Sequence, residues 1–308
     1  MAKAKRTSAG DLIYERKWTD VLFDSANYLV FFLFTISCIF PFYYIFINTI
    51  SNSEEVVRGT VTLWPKGINF QNYVNMMKVN DIGQAFIVTF ARTLLGTVLM
   101  VAASGFIGYL VTKKEMWHRK LWYRFIVVTM YFNAGLIPWF MNMNMLGLTN
   151  TFMAYIIPGI VAPYNIILVK TYIESIPAEL EESASIDGAG YFYIFRKIIW
   201  PLSIPILATI AIFGAVGHWN SFTDSLMLMQ ERSDLYTLQH LLYNYLNQAS
   251  NLQGQIGTGD SIGFLESMKS MKVMKYTISM ISVVPILLVY PFMQRYFEKG
   301  IMLGAVKG

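Results

Sequence analysis

Of the 308 residues, 55% are hydrophobic and only 14% are charged, with a mean hydropathy of +0.44 and a formal net charge of +5. Soluble globular domains carry about 25% charged residues, so this balance excludes an ordinary soluble domain and points to a membrane protein. The single cysteine, Cys38, has no partner in the chain, which excludes an internal disulfide framework and a cysteine-based metal site.

Residues 1–26 are polar, carry five basic side chains and read as a cytosolic tail. The run "NYLVFFLFTISCIFPFYYIFINTI" that follows is too long for a signal-peptide core and has no small-residue cleavage site, so it reads as a retained first span over 27–50. A helical span needs about 20 apolar residues. Five more candidates follow at 84–112, 122–141, 151–170, 198–218 and 277–295, giving an all-α domain of six spans over 27–296 and a second cytosolic tail at 297–308. With the N-terminus inside, sixteen basic residues fall on the inner side and seven on the outer, so both termini are expected in the cytosol.

The second span holds Arg92 and the pattern Ser104-x-x-x-Gly108, which reads as helix packing rather than chemistry. Asn133 sits in the third span, and Trp219, Asn220 and Asp224 stand at or just past the end of the fifth. Intramembrane polar groups face protein or water rather than lipid. These five are therefore the candidate pathway residues, aromatic and amide groups being suited to sugars, although Trp219 equally suits an interface anchor. His118, His218 and His240 lie far apart, form no ligand motif and read as isolated polar side chains near helix ends.

Between the fourth and fifth spans lies "EESASIDGAG", Glu181–Gly190, within an element over 176–201. Pro177 suits the first turn of a helix, and Glu179, Glu181 and Glu182 complement its dipole there. Ile176, Leu180 and Ala184 make a small apolar stripe. Gly188 supplies a left-handed stop. A second short helix with Tyr191, Phe192 and Phe195 on one side precedes Pro201. A connector needs only a few residues, whereas this one runs to 27, so a docking elbow is expected over a loop that merely happens to be helical.

The outer loop over 219–275 contains "DLYTLQHLLYNYLNQ", in which Leu235, Leu238, Leu242, Tyr245 and Leu246 share one helical face. That face suits a helix lying on lipid headgroups. The chain has no G-x-x-x-x-G-K-[ST] phosphate loop, nor any Gly-Lys dipeptide, so any ATP that drives it is bound elsewhere. A stand-alone secondary transporter or channel would need internal repeats and broken, charged spans, and neither is clear in the sequence. An intramembrane enzyme would need paired carboxylates, a metal cluster or a nucleophile with its base, and the spans hold none.

"ESASIDGAGYFYIFRKIIWP" resembles the EAA signature of membrane subunits in bacterial ABC importers: Glu-Ala-Ala, three residues, Gly, nine residues, Ile, any residue, Leu, Pro. Glu182, Ala184, Gly188, Ile198 and Pro201 stand at the matching positions, with Ser183 in place of Ala and Trp200 in place of Leu. Asp187 before Gly188 matches the form common in sugar importers. "LWPKGINFQNY" at 63–73, "HWNSF" at 218–222 and the terminal "YPFMQRYFEKGIMLGAVKG" extend the likeness to maltose-permease-type (MalG-like) subunits of the oligosaccharide branch.

That resemblance implies the type I ABC importer permease fold, in a bacterial cell membrane, without enzymatic activity or a cofactor of its own. It implies a cytosolic coupling helix, with Glu182, Ser183, Ala184, Asp187, Gly188, Ile198 and Pro201 as the element seated on a separate ATPase. The implied partners are a homologous second permease, two ATPase subunits that bind ATP and Mg, an external solute-binding protein, a carbohydrate and membrane lipid, but no nucleic acid. In that family the loop before the last span meets the binding protein, which would make Leu238, Leu242 and Tyr245 contact residues.

Overall fold

The computed structural model describes residues 4–6, 12–14, 18–78, 80–254 and 271–291, and every statement below concerns these. The expected C-terminal tail, most of the N-terminal tail and residues 255–270 of the outer loop lie outside the described residues. The membrane body is all α-helical, and the chain is led by a short antiparallel ribbon that pairs Ala4–Arg6 with Leu12–Tyr14.

Helix α1 (Trp18–Thr49) begins well before its expected apolar run and is buried only at Ile47, Asn48 and Thr49. A short helix, α2 (Ser53–Arg58), is capped by the Asn52 side chain, which accepts from the Glu54 N–H, and closes on Gly59 in the left-handed region. After α3 (Gln71–Lys78) comes α4 (Asn80–Leu110), 31 residues without a break. It packs against α7 (Pro163–Ile173) and α11 (Ile204–Asn220).

Lipid is as apolar as a leucine side chain, so close approach of backbones holds such helices together better than hydrophobic burial does. The glycines show this. A Cβ at Gly108 would stand 2.9 Å from Val169 Cγ1 and 3.3 Å from the Ile166 carbonyl, and one at Gly214 would stand 2.5 Å from Met100 Cε. Ser104 is fully buried on the same helix, so the Ser104/Gly108 pattern is a packing surface.

Hydropathy suggests unbroken third, fourth and fifth spans, and the structure corrects this. The third is α5 (Arg119–Tyr131) and α6 (Leu136–Met145), bent by 119°. The fourth is a pair of 3-10 turns over Phe152–Gly159 joined to α7 at 42°. The fifth is Tyr191–Leu202 joined to α11 at 78°. Each break has a local cause. Asn133 accepts from the N–H of Gly135, whose φ is +87°. Pro163 opens α7, and Pro205 stands in the first turn of α11, where neither offers an N–H to continue the preceding helix. The last span, α14, covers Met271–Pro291. Three helices are thus long and apolar enough to cross a membrane, and six spans result if each bent pair counts as one.

Two buried clusters lie one at each end of α4. One joins Tyr109, Val169, Ile173, Ile194, Phe195 and Ile199 beneath the elbow. The other joins Met76, Ile82, Trp219, Leu238, Leu241 and Ile278.

Candidate functional site

The elbow is built as its sequence suggests. Helix α8 (Glu179–Ile186) carries Glu179, Glu181 and Glu182 in its first turn. It closes with the Gly188 N–H donating to Ser185 O and the Ala189 N–H to Ala184 O, both at 3.0 Å, around a Gly188 φ of +82°. The chain reverses into α9 (Tyr191–Ile194), which passes through a π turn (Phe195–Ile199) into α10 (Trp200–Leu202).

The elbow has a held side and a free side. Ala184, Ala189 and Ile198 pack on the cluster of Tyr109, Ile194 and Ile199. The Lys113 ammonium, just beyond α4, pairs with the Glu181 carboxylate and lies 4.2 Å from the Tyr109 ring centroid. Tyr109 Oη donates to the Tyr191 carbonyl at 3.3 Å. Glu182, Ser183, Asp187 and Gly188 stay exposed, beside an Ile186 that is 86% exposed. Pro201 is exposed within α10, just before the bend. Sequence reading missed the Lys113–Glu181 tie, because two charges 68 positions apart carry no periodic signal.

Nearer the middle of α4 the structure brings together only two of the five pathway candidates. Arg92, 1% exposed, meets Asp224 with Nη1 donating to Oδ1 at 3.2 Å and Nη2 to Oδ2 at 2.5 Å. Its Nη1 also donates to the Ser221 carbonyl at 3.3 Å, and its guanidinium lies 4.4 Å from the Tyr155 ring centroid. Asp224 further accepts from the Ser221 hydroxyl and the Ser225 N–H. These groups line a cavity of about 320 Å³ together with Trp139 and His218. His218 is seated so closely that a Cβ at Gly96 would stand 2.5 Å from its Nε2. Trp139, Tyr155 and His218 were not singled out as pathway residues from the sequence, and only their co-location around the ion pair marks them.

The other three candidates lie elsewhere. Trp219 is buried with its Nε1 donating to Ser282 O at 3.0 Å, and its ring meets Phe86 edge-on. Asn133 caps the α5–α6 break. Asn220 is exposed, donates to Val216 O and accepts from Gln239.

The outer helix packs onto the body of the chain. After α12 (Thr223–Leu228), α13 (Leu238–Gly254) turns its apolar stripe inward. Leu238 is 0% exposed and its N–H donates to Thr89 Oγ1 at 2.8 Å, while Leu242 and Tyr245 pack on the same cluster with Trp219 and Ile278. Leu238 is therefore a core residue of this chain, while Tyr243 and Leu246 are exposed on the same helix. A polar chain joins the helix to the cavity. His240 Nδ1 lies 2.9 Å from Ser225 Oγ, which lies 2.9 Å from a Tyr155 hydroxyl that donates to Leu235 O. Burial pushes the His240 imidazole below its ordinary pKa, against a smaller upward pull from Asp224. Among the described residues no group of three or more His, Cys, Asp or Glu is placed to hold a metal.

Comparison with known proteins adds to this geometry. Residues 7–303 match the family model described as "Binding-protein-dependent transport system inner membrane component". The chain is 32% identical over 290 residues to the polygalacturonan/rhamnogalacturonan transport system permease protein YtcP of Bacillus subtilis, covering 93% of this chain and 99% of that one. It is 27% identical to the arabinooligosaccharides transport system permease protein AraQ of Halalkalibacterium halodurans, over 88% of this chain and 91% of the relative. A crystal structure of a bacterial ABC transporter involved in the import of the acidic polysaccharide alginate contains a chain that superposes with a TM-score of 0.80 at 28% identity, covering 91% of this chain and 98% of that one.

Proposed function

Because the chain belongs to the family of binding-protein-dependent transport system inner membrane components, we propose that it forms half of the membrane path for a carbohydrate chain and couples that path to a separate ATPase through its elbow. It is a permease subunit of a sugar ABC importer and resides in the cell membrane. The breaks in three spans would alone suit a secondary transporter; family membership decides against that reading.

The observation that carries the coupling is the two-sided elbow. Lys113 and Tyr109 clamp its inner side to α4, and Glu182, Ser183, Asp187 and Gly188 are left facing outward. A surface so arranged passes a push from a docked partner into the longest helix of the core. ATP and Mg belong to that partner. A second, homologous permease completes the path, and an external binding protein delivers the sugar at the α13 end. The relatives are named for polygalacturonan/rhamnogalacturonan and arabinooligosaccharides and the solved transporter for alginate, which supports an oligosaccharide. The cavity around Arg92 and Asp224 lies on the path in this reading, its ion pair and the Trp139 and Tyr155 rings offering a sugar both hydrogen-bonding and stacking partners.

Purified by a tag on this chain, the complex is expected to contain an ATPase and a second permease, and its hydrolysis to rise when loaded binding protein is added. A chain that transports sugar in vesicles without either companion would overturn the reading. The orientation has its own test. In a Cys38→Ala background, Ser233→Cys should react with an impermeant thiol reagent on intact cells while Ser183→Cys stays protected. The reverse pattern inverts the topology.

A further inference from the structure

The end of α4 that carries Lys113 also carries a basic pocket that the coupling mechanism does not use. Residues 111–118 connect α4 to α5, and the pocket they form with the first turns of α5 has a volume of about 430 Å³. Lys114, His118, Arg119, Lys120 and Arg124 line it, and no acidic side chain does. Glu115 is outside the lining, and Glu181, the acid that meets the neighbouring Lys113, is paired with it. Arg119 braces the loop by donating to the Thr112 carbonyl at 2.8 Å. His118 takes a left-handed φ of +48°, which turns the chain sharply into the helix.

Two further features give the pocket a depth in the membrane. Trp117 is 73% exposed and Trp122 is exposed beside it, as aromatic side chains are at the level of lipid headgroups. From the pocket lining along α5, Leu121, Phe125 and Val128 form an exposed apolar face at helical spacing, and α5 buries none of its residues. A cationic cradle directly above an apolar wall matches a molecule with an anionic head and a greasy tail. We infer that this pocket binds the phosphate headgroup of an anionic phospholipid, whose acyl chains run along the Leu121, Phe125 and Val128 face. The bilayer that holds the helices supplies this ligand at high local concentration. A free phosphate would find the cradle but would leave the wall uncovered.

The test uses the intact importer, stripped of residual lipid in a neutral detergent and titrated with short-chain phosphatidylglycerol under native mass spectrometry. Each basic residue near an anionic membrane contributes about 1 kcal/mol, so Lys114→Gln/Lys120→Gln/Arg124→Gln should weaken binding on the order of a hundredfold. Lys113 and Arg119 are kept, because they hold the elbow and the loop. Lys114→Arg/Lys120→Arg, which preserves charge, should bind as the parent does. Equal binding by the triple Gln variant and the parent overturns the proposal. So does equally tight binding of phosphatidylcholine, or displacement of phosphatidylglycerol by inorganic phosphate at the same concentration. A triple variant that keeps its lipid but sheds the ATPase shows instead that the pocket serves a protein partner.

Discussion

Gly188→Val is expected to abolish sugar uptake while leaving the spans folded and inserted. The glycine sits at φ +82°, and a Cβ built there meets nothing within 4 Å, so no side-chain clash is involved. The effect comes from the backbone alone. A left-handed residue with a Cβ costs roughly 1–2 kcal/mol, and a β-branched one is a genuine outlier. The turn would relax by opening, moving α8 away from the position set by the Ala189-to-Ala184 hydrogen bond. Gly188→Asn should be far milder, since Asn tolerates this region. Glu182→Ala tests the proposed contact rather than the turn: Glu182 is exposed, and a hydrogen bond from its carboxylate to a charged group on the ATPase would contribute about 1.5–3 kcal/mol. Hydrolysis by the reconstituted complex, with and without loaded binding protein, is the measurement, beside uptake in vesicles. Val and Ala variants that keep stimulated hydrolysis and full uptake would remove the elbow from the mechanism.

Breaking the Arg92–Asp224 pair should have the largest effect on stability. Arg92 is almost wholly buried, so Asp224→Ala strands a cation and costs about 3–5 kcal/mol. Arg92→Leu leaves Asp224 with its Ser221 and Ser225 hydrogen bonds and should cost less. The double variant Arg92→Leu/Asp224→Leu should recover much of the lost stability, because two matched charges are replaced together. It should not recover transport, since the cavity loses its polar lining. Thermal unfolding of the purified complex, followed with uptake, separates the two roles. If Asp224→Ala unfolds no earlier than the parent, the pair is not holding this region together. If the double variant transports normally, the cavity is not on the path.

The sequence and the structure agree where the signal is local. The spacing of Glu182, Gly188 and Pro201 gives the elbow, because a left-handed glycine and a helix-opening proline act within a few residues of themselves. The apolar runs give the span positions for the same reason. The breaks were written in the chain too, at Asn133-Ala134-Gly135, Pro163 and Pro205, but a reading averaged over 20 residues passes across them. What sequence does not carry is which face meets which. Leu238, Leu242 and Tyr245 announce an apolar stripe without saying that Ile82 and Ile278 cover it. Arg92 and Asp224 are separated by 132 positions, and nothing in their surroundings names the other as partner. Trp219 had two readings at a span end, and neither announces that its indole bonds to Ser282 of α14.

Among these broken spans α4 runs unbroken through the packed centre, with Arg92 near its middle and Lys113 just past its end. At 1.5 Å per residue its 31 residues make a stiff lever about 46 Å long. Pivoted near one end, such a lever carries the other by about 0.8 Å for each degree of tilt. Arg92 stands about 27 Å from the Leu110 end, so a tilt of about six degrees pivoted there displaces the cavity rim by roughly the width of a water molecule. A kinked α4 would absorb that motion at its bend.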